Sequence, residues 1–187
     1  NVSRTPVREA LMRLSAEYLI QYGASGGAYV PAVTSEDVVD VYKVRGTLEG
    51  LAAHFACKRQ TTQKELRPLI HHVELAELSL EEGDLAEVER HNSAFHNSLV
   101  GLANNQFLSR QLYLVQPFTY FLRQQVIEVA KANPLAHKLY DKHLQVNMAG
   151  HREIVQILAA GDEDKAQQYL IEHIDEASTS MVAVLGF

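Results

Sequence analysis

Apolar residues recur every three or four positions along most of the chain, a spacing typical of amphipathic helices. Thr34 follows a short linker and stands where a cap would open the first of these blocks. Polar or glycine-containing breaks then separate the blocks, at Gly83–Asp84, Asn104–Asn105, Asn133–Pro134 and Gly161–Asp162. The pattern predicts a mainly α fold, with an antiparallel bundle of about six to seven helices.

The start of the chain follows a different pattern. Ser3–Pro6 has the capping hydroxyls and the first-turn proline that open a helix. Two β-rich runs, Tyr18–Tyr22 and Ala28–Pro31, then flank a turn of glycine, alanine and serine, which predicts a hairpin. We therefore expect two units, residues 1–31 with one helix and a hairpin, and residues 34–187 with the helical bundle.

Composition narrows the classes of function. The formal net charge is −6, so the chain as a whole is no general polyanion binder. Residues 1–13 nevertheless hold three arginines and one glutamate, a local charge of +2, whereas the remaining chain carries −8. The single cysteine, Cys57, excludes an intramolecular disulfide and fits a reducing cytoplasm. No stretch approaches the ~20 apolar residues of a transmembrane helix, so we expect no membrane partner.

The arginines of the first helix, Arg4, Arg8 and Arg13, lie off its apolar face. On a helix they either contact the phosphates and base edges of a nucleic acid or form a solvated charged surface. The pattern alone leaves both interpretations open.

Polar residues interrupt the apolar stripes of three separate helices. Asn92 and His96 lie on the side of their helix that carries Phe95, and His151 and His173 replace apolar residues in the last two helices. Neutral imidazoles are good ligands for divalent transition metals, and helical bundles build metal sites from facing helices. Either each histidine has its own hydrogen-bond partner in the core, or one bound ion satisfies all three.

Arg45 also occupies a core position, in the helix that begins after Thr34. A buried guanidinium group needs an anion or several hydrogen-bond acceptors. Glu49, one turn later, is one candidate partner, and an anionic ligand held by the planar guanidinium is the other. On a later helix, Tyr120 and Arg123 are polar groups within reach of a cavity, although an aromatic residue such as Tyr120 is also consistent with simple core packing.

The segment Ser3–Leu11 and the hairpin from Leu19 to Val30 closely resemble the recognition helix and wing of the GntR family of bacterial transcription regulators. The resemblance implies contacts with operator DNA from Arg4, Thr5 and Arg8, and from Gly23 in the wing. The family's first helix and most of its second have no counterpart here, so we expect that the chain lacks its natural N-terminus.

From Thr34 onward the chain resembles the all-helical effector domain of the FadR-type branch of that family, the FCD domain. The matching pieces are Arg45–Glu49; Phe95–His96 with Gly101 and Asn104–Asn105; and His151–Ile154 with Gly161–Asp162, Ala166 and His173. Many such domains bind a divalent metal through one aspartate and three histidines. Carried over, the ligands are Asn92, His96, His151 and His173, and zinc or nickel is the expected ion. Because Asn92 replaces the aspartate with a neutral, weaker ligand, we expect a lower metal affinity.

The resemblance implies a ligand-responsive transcription regulator and not an enzyme. A small organic acid would bind in the helical cavity between the metal and Arg45, and a homodimer would present two DNA-binding heads to the operator. The residues alone leave two alternatives, a zinc-dependent hydrolase that uses the three histidines and a metal-free helical interaction domain. Against the hydrolase, Glu153 is near His151 in sequence but points elsewhere on its helix.

Overall fold

The computed structural model describes residues 3–186, so residues 1, 2 and 187 of the two predicted units lie outside the described part. Seven helices and one two-stranded sheet occur within the described residues. They are α1 (Arg4–Ala16), β1 (Gln21–Tyr22), β2 (Ala28–Tyr29), α2 (Ser35–Lys58), α3 (Gln63–Glu81), α4 (Leu85–Leu102), α5 (Gln106–Ala132), α6 (Pro134–Ala160) and α7 (Glu163–Leu185). The predicted fold class is confirmed. None of these helices is both long enough and apolar enough to cross a membrane.

The N-terminal helix and hairpin are the most exposed part of the described chain. Helix α1 buries none of its residues, and its apolar stripe of Val7, Leu11 and Leu14 is exposed or partly buried. Strands β1 and β2 pair antiparallel, as the sequence predicts. Gly26 in the turn has a φ of 79°, a left-handed conformation that glycine adopts without steric cost.

Side-chain caps fix the starts of the bundle helices where the sequence predicts them, whereas Ser3, at the N-cap of α1, makes no side-chain cap hydrogen bond. The Thr34 hydroxyl accepts the Asp37 N–H and the Asp37 carboxylate accepts the Thr34 N–H, which makes a capping box at the start of α2. Thr62 and Glu65 form the same arrangement at the start of α3. The remaining bundle helices are capped by the side chains of Asp84, Asn105, Asn133 and Asp162.

Helix α2 is the centre of the bundle and packs most extensively against α7. A Cβ atom on Gly50 would lie only 2.9 Å from Ile171 Cγ1, so the glycine permits this close approach. Val41, Leu48 and Phe55 lie at apolar positions spaced three or four residues from Val38, Arg45 and Ala52, but they are only partly buried. The buried face instead contains Val38, Tyr42, Arg45, Gly46, Glu49, Gly50, Ala52, Ala53, Ala56 and Cys57. The buried face of α2 differs from the face with the apolar spacing because small residues of α2 pack against α7. Apolar spacing does not identify this face, since glycine is not counted as an apolar residue.

Candidate metal and anion site

Three helices bring one histidine each to the same point in the core. His96 comes from α4, His151 from α6 and His173 from α7, and all three are buried. One ring nitrogen from each lies within 4.8 Å of the others. The Nε2 atoms of His96 and His151 are 3.3 Å apart. The expectation that these histidines surround one internal point agrees with this geometry.

Packing holds the rings in place. Phe95 stacks on His151, with ring centroids 4.0 Å apart and planes inclined by 18°. Gly150 makes room for His173, because a Cβ atom there would lie 2.5 Å from His173 Nδ1. Any other residue at position 150 would displace the imidazole from the cluster.

Glu49 orients the His96 ring through a hydrogen bond with its Nδ1 atom. Its Oε2 atom accepts a hydrogen bond from His96 Nδ1 at 2.6 Å, and its Oε1 atom accepts one from Arg45 Nε at 2.7 Å. Burial opposes ionisation, but Arg45 and His96 outweigh burial and hold the pKa of Glu49 well below its usual range. Because the ionised carboxylate only accepts, the proton of neutral His96 lies on Nδ1. The lone pair on Nε2 then faces the other histidines.

Burial favours the neutral form of all three histidines. Burial lowers the pKa of His96, although Glu49 opposes the shift. Burial, followed by the neighbouring His173 and His96, lowers the pKa of His151 well below its ordinary value. Burial and the nearby His96 lower the pKa of His173 to about 3. A neutral imidazole is the form that binds metal ions.

The donor set fits a divalent transition metal. Nitrogen ligands about 2.0–2.1 Å from a tetrahedral ion are about 3.3–3.4 Å apart, and the His96–His151 separation of 3.3 Å has this value. The other ring nitrogen of His151, Nδ1, is buried and has no hydrogen-bond partner in residues 3–186, so an ion bound at Nε2 would leave it unpaired. The carboxylate behind His96 is the usual support for a ligating histidine. Three buried histidines therefore form a site that is able to hold a metal ion.

Asn92, the fourth predicted ligand, is buried one turn before His96. Its Nδ2 atom donates to Glu89 Oε2 at 3.2 Å, whereas its Oδ1 atom has no hydrogen-bond partner in the described part of the chain. Glu89 also accepts from the Tyr140 hydroxyl at 2.6 Å, and Arg123 Nε lies 3.2 Å from it at ion-pair distance without an aligned hydrogen bond. Asn92 is not among the residues that line the cavity beside His96, and its buried amide oxygen is unpaired within residues 3–186.

A cavity of about 210 Å³ opens beside His96, between α2, α4 and α5. The predicted effector residues Arg45, Tyr120 and Arg123 all line it. The two guanidinium groups are almost fully buried, while Tyr120 is 58% exposed at the rim. Arg123 also donates to Ser93 Oγ at 3.1 Å. The cavity wall thus has two guanidinium groups and the Glu49 carboxylate, and His96 joins it to the histidine cluster.

The four predicted DNA contacts lie on α1 and the hairpin. Arg4, Thr5 and Arg8 are exposed on α1. Gly23 begins the hairpin turn, where its N–H donates to the Gly27 carbonyl at 2.9 Å. All four are accessible on the surface or partly so, and none belongs to the internal site.

The sequence pattern does not predict the contacts of two carboxylates at the internal site. It predicts Glu49 only as a partner of Arg45, whereas the contact of Glu49 with His96 joins residues 47 positions apart. It predicts no contact for Glu89, although Leu85, Glu89, Asn92 and His96 follow one another at helical spacing. That spacing is the signal that would have identified Glu89 as buried.

Known proteins resemble the chain over nearly its whole length. The FCD domain family matches residues 40–176. An uncharacterized HTH-type transcriptional regulator of Bacillus subtilis (strain 168), YdhC, is 26% identical over 185 residues, which cover 98% of this chain and 77% of the relative. The Nta operon transcriptional regulator of Aminobacter aminovorans is 28% identical over 187 residues, covering 98% of this chain and 80% of the relative.

A solved structure shares the fold. The crystal structure of a transcriptional regulator GntR from Rhodococcus sp. RHA1 aligns with a TM-score of 0.68 and 23% sequence identity. The alignment covers 97% of this chain and 81% of that chain. The helix, the hairpin and the bundle therefore occur in the same order in a protein of this regulator type.

Proposed function

The chain belongs to the FCD domain family of GntR-type transcription regulators, and from this premise we propose that its bundle senses a small carboxylate beside a bound divalent metal. One observation carries the proposal. His96 belongs both to the three-histidine cluster and to the wall of the cavity that Arg45 and Arg123 line. A ligand in that cavity would meet a metal at one end and guanidinium groups along its side.

The metal would be held by His96, His151 and His173, with Asn92 Oδ1 as a weaker fourth ligand. Nitrogen donors favour zinc or nickel over magnesium or calcium, which prefer oxygen. Loss of the carboxylate at position 92 removes one negative charge, so we expect weaker binding than an aspartate would give. A bound cation would supply positive charge at the histidine end of the cavity.

The effector is a small organic acid. The cavity of about 210 Å³ is below the range of roughly 300–1,000 Å³ typical of larger ligand pockets, so only a compact molecule fits. Arg45 donates through Nε to Glu49, which leaves its other nitrogen atoms for a carboxylate. Tyr120 at the rim would close over the bound molecule.

Residues 1–31 would form the DNA-binding part and residues 34–187 the effector-binding part. The exposed Arg4, Thr5 and Arg8 of α1, with Gly23 in the hairpin as the wing, support contact with operator DNA. We propose that the regulator acts in the cytoplasm as a homodimer. Effector binding would shift the population of bundle conformations and thereby the spacing of two DNA-binding parts.

Nothing in the geometry favours a hydrolase. A general base needs a pKa near the working pH and a free oxygen. Glu49 is the carboxylate at the cluster, but both of its oxygens are engaged, and Arg45 and His96 keep its pKa far below that range. Glu153 lines a surface groove instead of the cavity.

The test compares Arg45→Lys with Arg152→Lys in zinc-loaded protein. Lysine keeps the charge but loses the planar fork, so we expect carboxylate affinity to fall about tenfold in Arg45→Lys. Arg152 pairs with Glu77 on the surface, and its variant should bind like the original. Affinities are measured by calorimetry with small mono-, di- and tricarboxylates and their neutral amides. Binding of no carboxylate, or equal binding of the amides, would contradict the proposal.

A further inference from the structure

A second opening reaches the histidine cluster from the surface between α6 and α7. This α6–α7 groove, with a volume of about 460 Å³, is lined by Val146, Ala149, Gly150, Glu153, Tyr169, Glu172, His173 and Glu176. It shares no residue with the cavity between α2, α4 and α5. His173 is therefore the member of the cluster that meets the groove, just as His96 is the member that meets the cavity.

The α6–α7 groove is negatively charged. Glu153, Glu172 and Glu176 line it, and no lysine or arginine does so among residues 3–186. Lys165 lies 3.8 Å from Glu153, but both side chains are largely exposed, so this pair is weak. Burial and then the charges of the three glutamates raise the pKa of Tyr169, as expected where carboxylates converge.

His173 forms the floor of this groove. It is only 7% exposed, and its Nε2 atom lies 3.4 Å from Asn147 Nδ2. Its Nδ1 atom lies directly above Gly150, because a Cβ atom on the glycine would be 2.5 Å away. Gly150 also lines the groove, so its lack of a side chain leaves room for the His173 imidazole at the bottom of an acidic opening.

The two openings have opposite charge. The cavity wall has two guanidinium groups, of Arg45 and Arg123, and one carboxylate, of Glu49, so its net charge is positive and favours an anion over a divalent cation. Glu153, Glu172 and Glu176 on the groove wall attract a cation. A cleft with walls of one sign raises the local concentration of the opposite ion and speeds its association.

We propose that the α6–α7 groove is the access route by which the divalent cation reaches the three-histidine site, and that His173 is the first ligand it meets. The effector anion uses the separate cavity between α2, α4 and α5. The inference rests on the proposed metal site, and it makes a claim about rates that the site alone does not.

The experiment measures zinc association by stopped flow in the full chain, with a chromogenic zinc indicator as competitor. The triple variant Glu153→Gln, Glu172→Gln, Glu176→Gln should associate about tenfold more slowly at low ionic strength, and added salt should slow it less than the original protein. Its stoichiometry at saturating zinc should be unchanged. The control variant Glu36→Gln, Glu81→Gln, Glu128→Gln has the same net charge but changes exposed glutamates outside the groove, and it should associate like the original.

Each other outcome overturns a defined claim. Equal slowing in both triple variants would attribute the effect to net charge and exclude the groove as the route. Normal stoichiometry with an unchanged rate in the groove variant would also exclude it, while the metal site would stand. Faster loading in Arg123→Gln together with an unchanged groove variant would assign cation access to the cavity. Absence of zinc binding in every protein would overturn the metal site, and the route with it.

Discussion

The N-terminal helix and hairpin place their polar groups in the opposite way from the bundle. Helix α1 buries no residue, and its arginines are spread over an exposed surface that carries the positive charge of an otherwise acidic chain. The bundle buries Arg45, Glu49, Glu89, Asn92, His96, Arg123, His151 and His173. In the first region the polar groups are exposed on the surface, and in the second they surround an internal cavity of about 210 Å³ and the histidine cluster.

The difference shows which property of a polar residue carries information about function. An exposed arginine is ordinary, so α1 is informative only through its local charge and its resemblance to a known motif. A buried histidine or arginine is costly unless it is paired, so each one in the bundle requires an explanation. The two regions therefore predict separable effects of mutation, which the following variants test.

The largest effect is expected from His151→Ala. Removing one of three nitrogen ligands should weaken zinc binding at least about a hundredfold, since loss of a mere supporting contact already costs about 10–100-fold. Calorimetry with zinc measures the change, and circular dichroism verifies the fold. DNA affinity of the metal-free protein should stay the same. Unaltered zinc binding would remove His151 from the site.

The second prediction concerns α1, where substitutions should affect DNA affinity and leave zinc binding unchanged. Arg4→Ala with Arg8→Ala should lower the affinity for a DNA duplex selected from a random pool by about thirtyfold, if each contact contributes about 1 kcal/mol. Fluorescence anisotropy gives the affinity, with Arg13→Ala in the same helix as control. Zinc binding should not change. An equal loss in the Arg13 variant would indicate general electrostatic attraction instead of specific contacts.

A smaller effect is expected from Gly150→Ala. The new Cβ atom, 2.5 Å from His173 Nδ1, must push the imidazole aside, and zinc affinity should fall about tenfold. Gly101→Ala in α4 is the matched control, because a Cβ atom there meets no atom within 4 Å. Both changes add an alanine to a helix, so only a contact with His173 distinguishes them. Equal zinc affinities would show that His173 is not needed at its position.

The smallest effect concerns pH. Burial and neighbouring histidines lower the pKa of His151 and His173 in the fold, so the unfolded chain binds more protons below a pH of about 6.5. The free energy of unfolding of chelator-treated protein should therefore fall as the pH drops from 7 to 5. The slope is at most about 1.4 kcal/mol per pH unit for each histidine. Urea unfolding measures it, and His173→Leu should reduce it. An unchanged slope would contradict the role of buried His173.

Much of the fold followed from local chemistry. The Thr34 and Thr62 capping boxes, the asparagine caps and the left-handed Gly161 mark helix ends that short-range rules identify. The apolar spacing did not predict the buried face of α2, because the close contact of Gly50 with α7 depends on tertiary packing. Neither an apolar count nor a helical period contains that information.

The histidines of the site were predictable because each one interrupts an apolar stripe. Their supporting groups were not. Glu49 contacts His96 from another helix, and Gly150 matters only for the side chain that it lacks. The acidic groove beside His173 could not be predicted from the sequence either. Glu153 and Glu172 come from different helices and come together only when α6 packs against α7.

Anomalous diffraction from crystals grown with zinc tests the central claim most directly. The account predicts one strong peak per chain at the zinc edge, about 2.0–2.1 Å from a nitrogen of His96, His151 and His173. Absence of a peak there would contradict it. A peak located only between His72 of α3 and His91 of α4, whose Nδ1 atoms are 3.4 Å apart, would also contradict it.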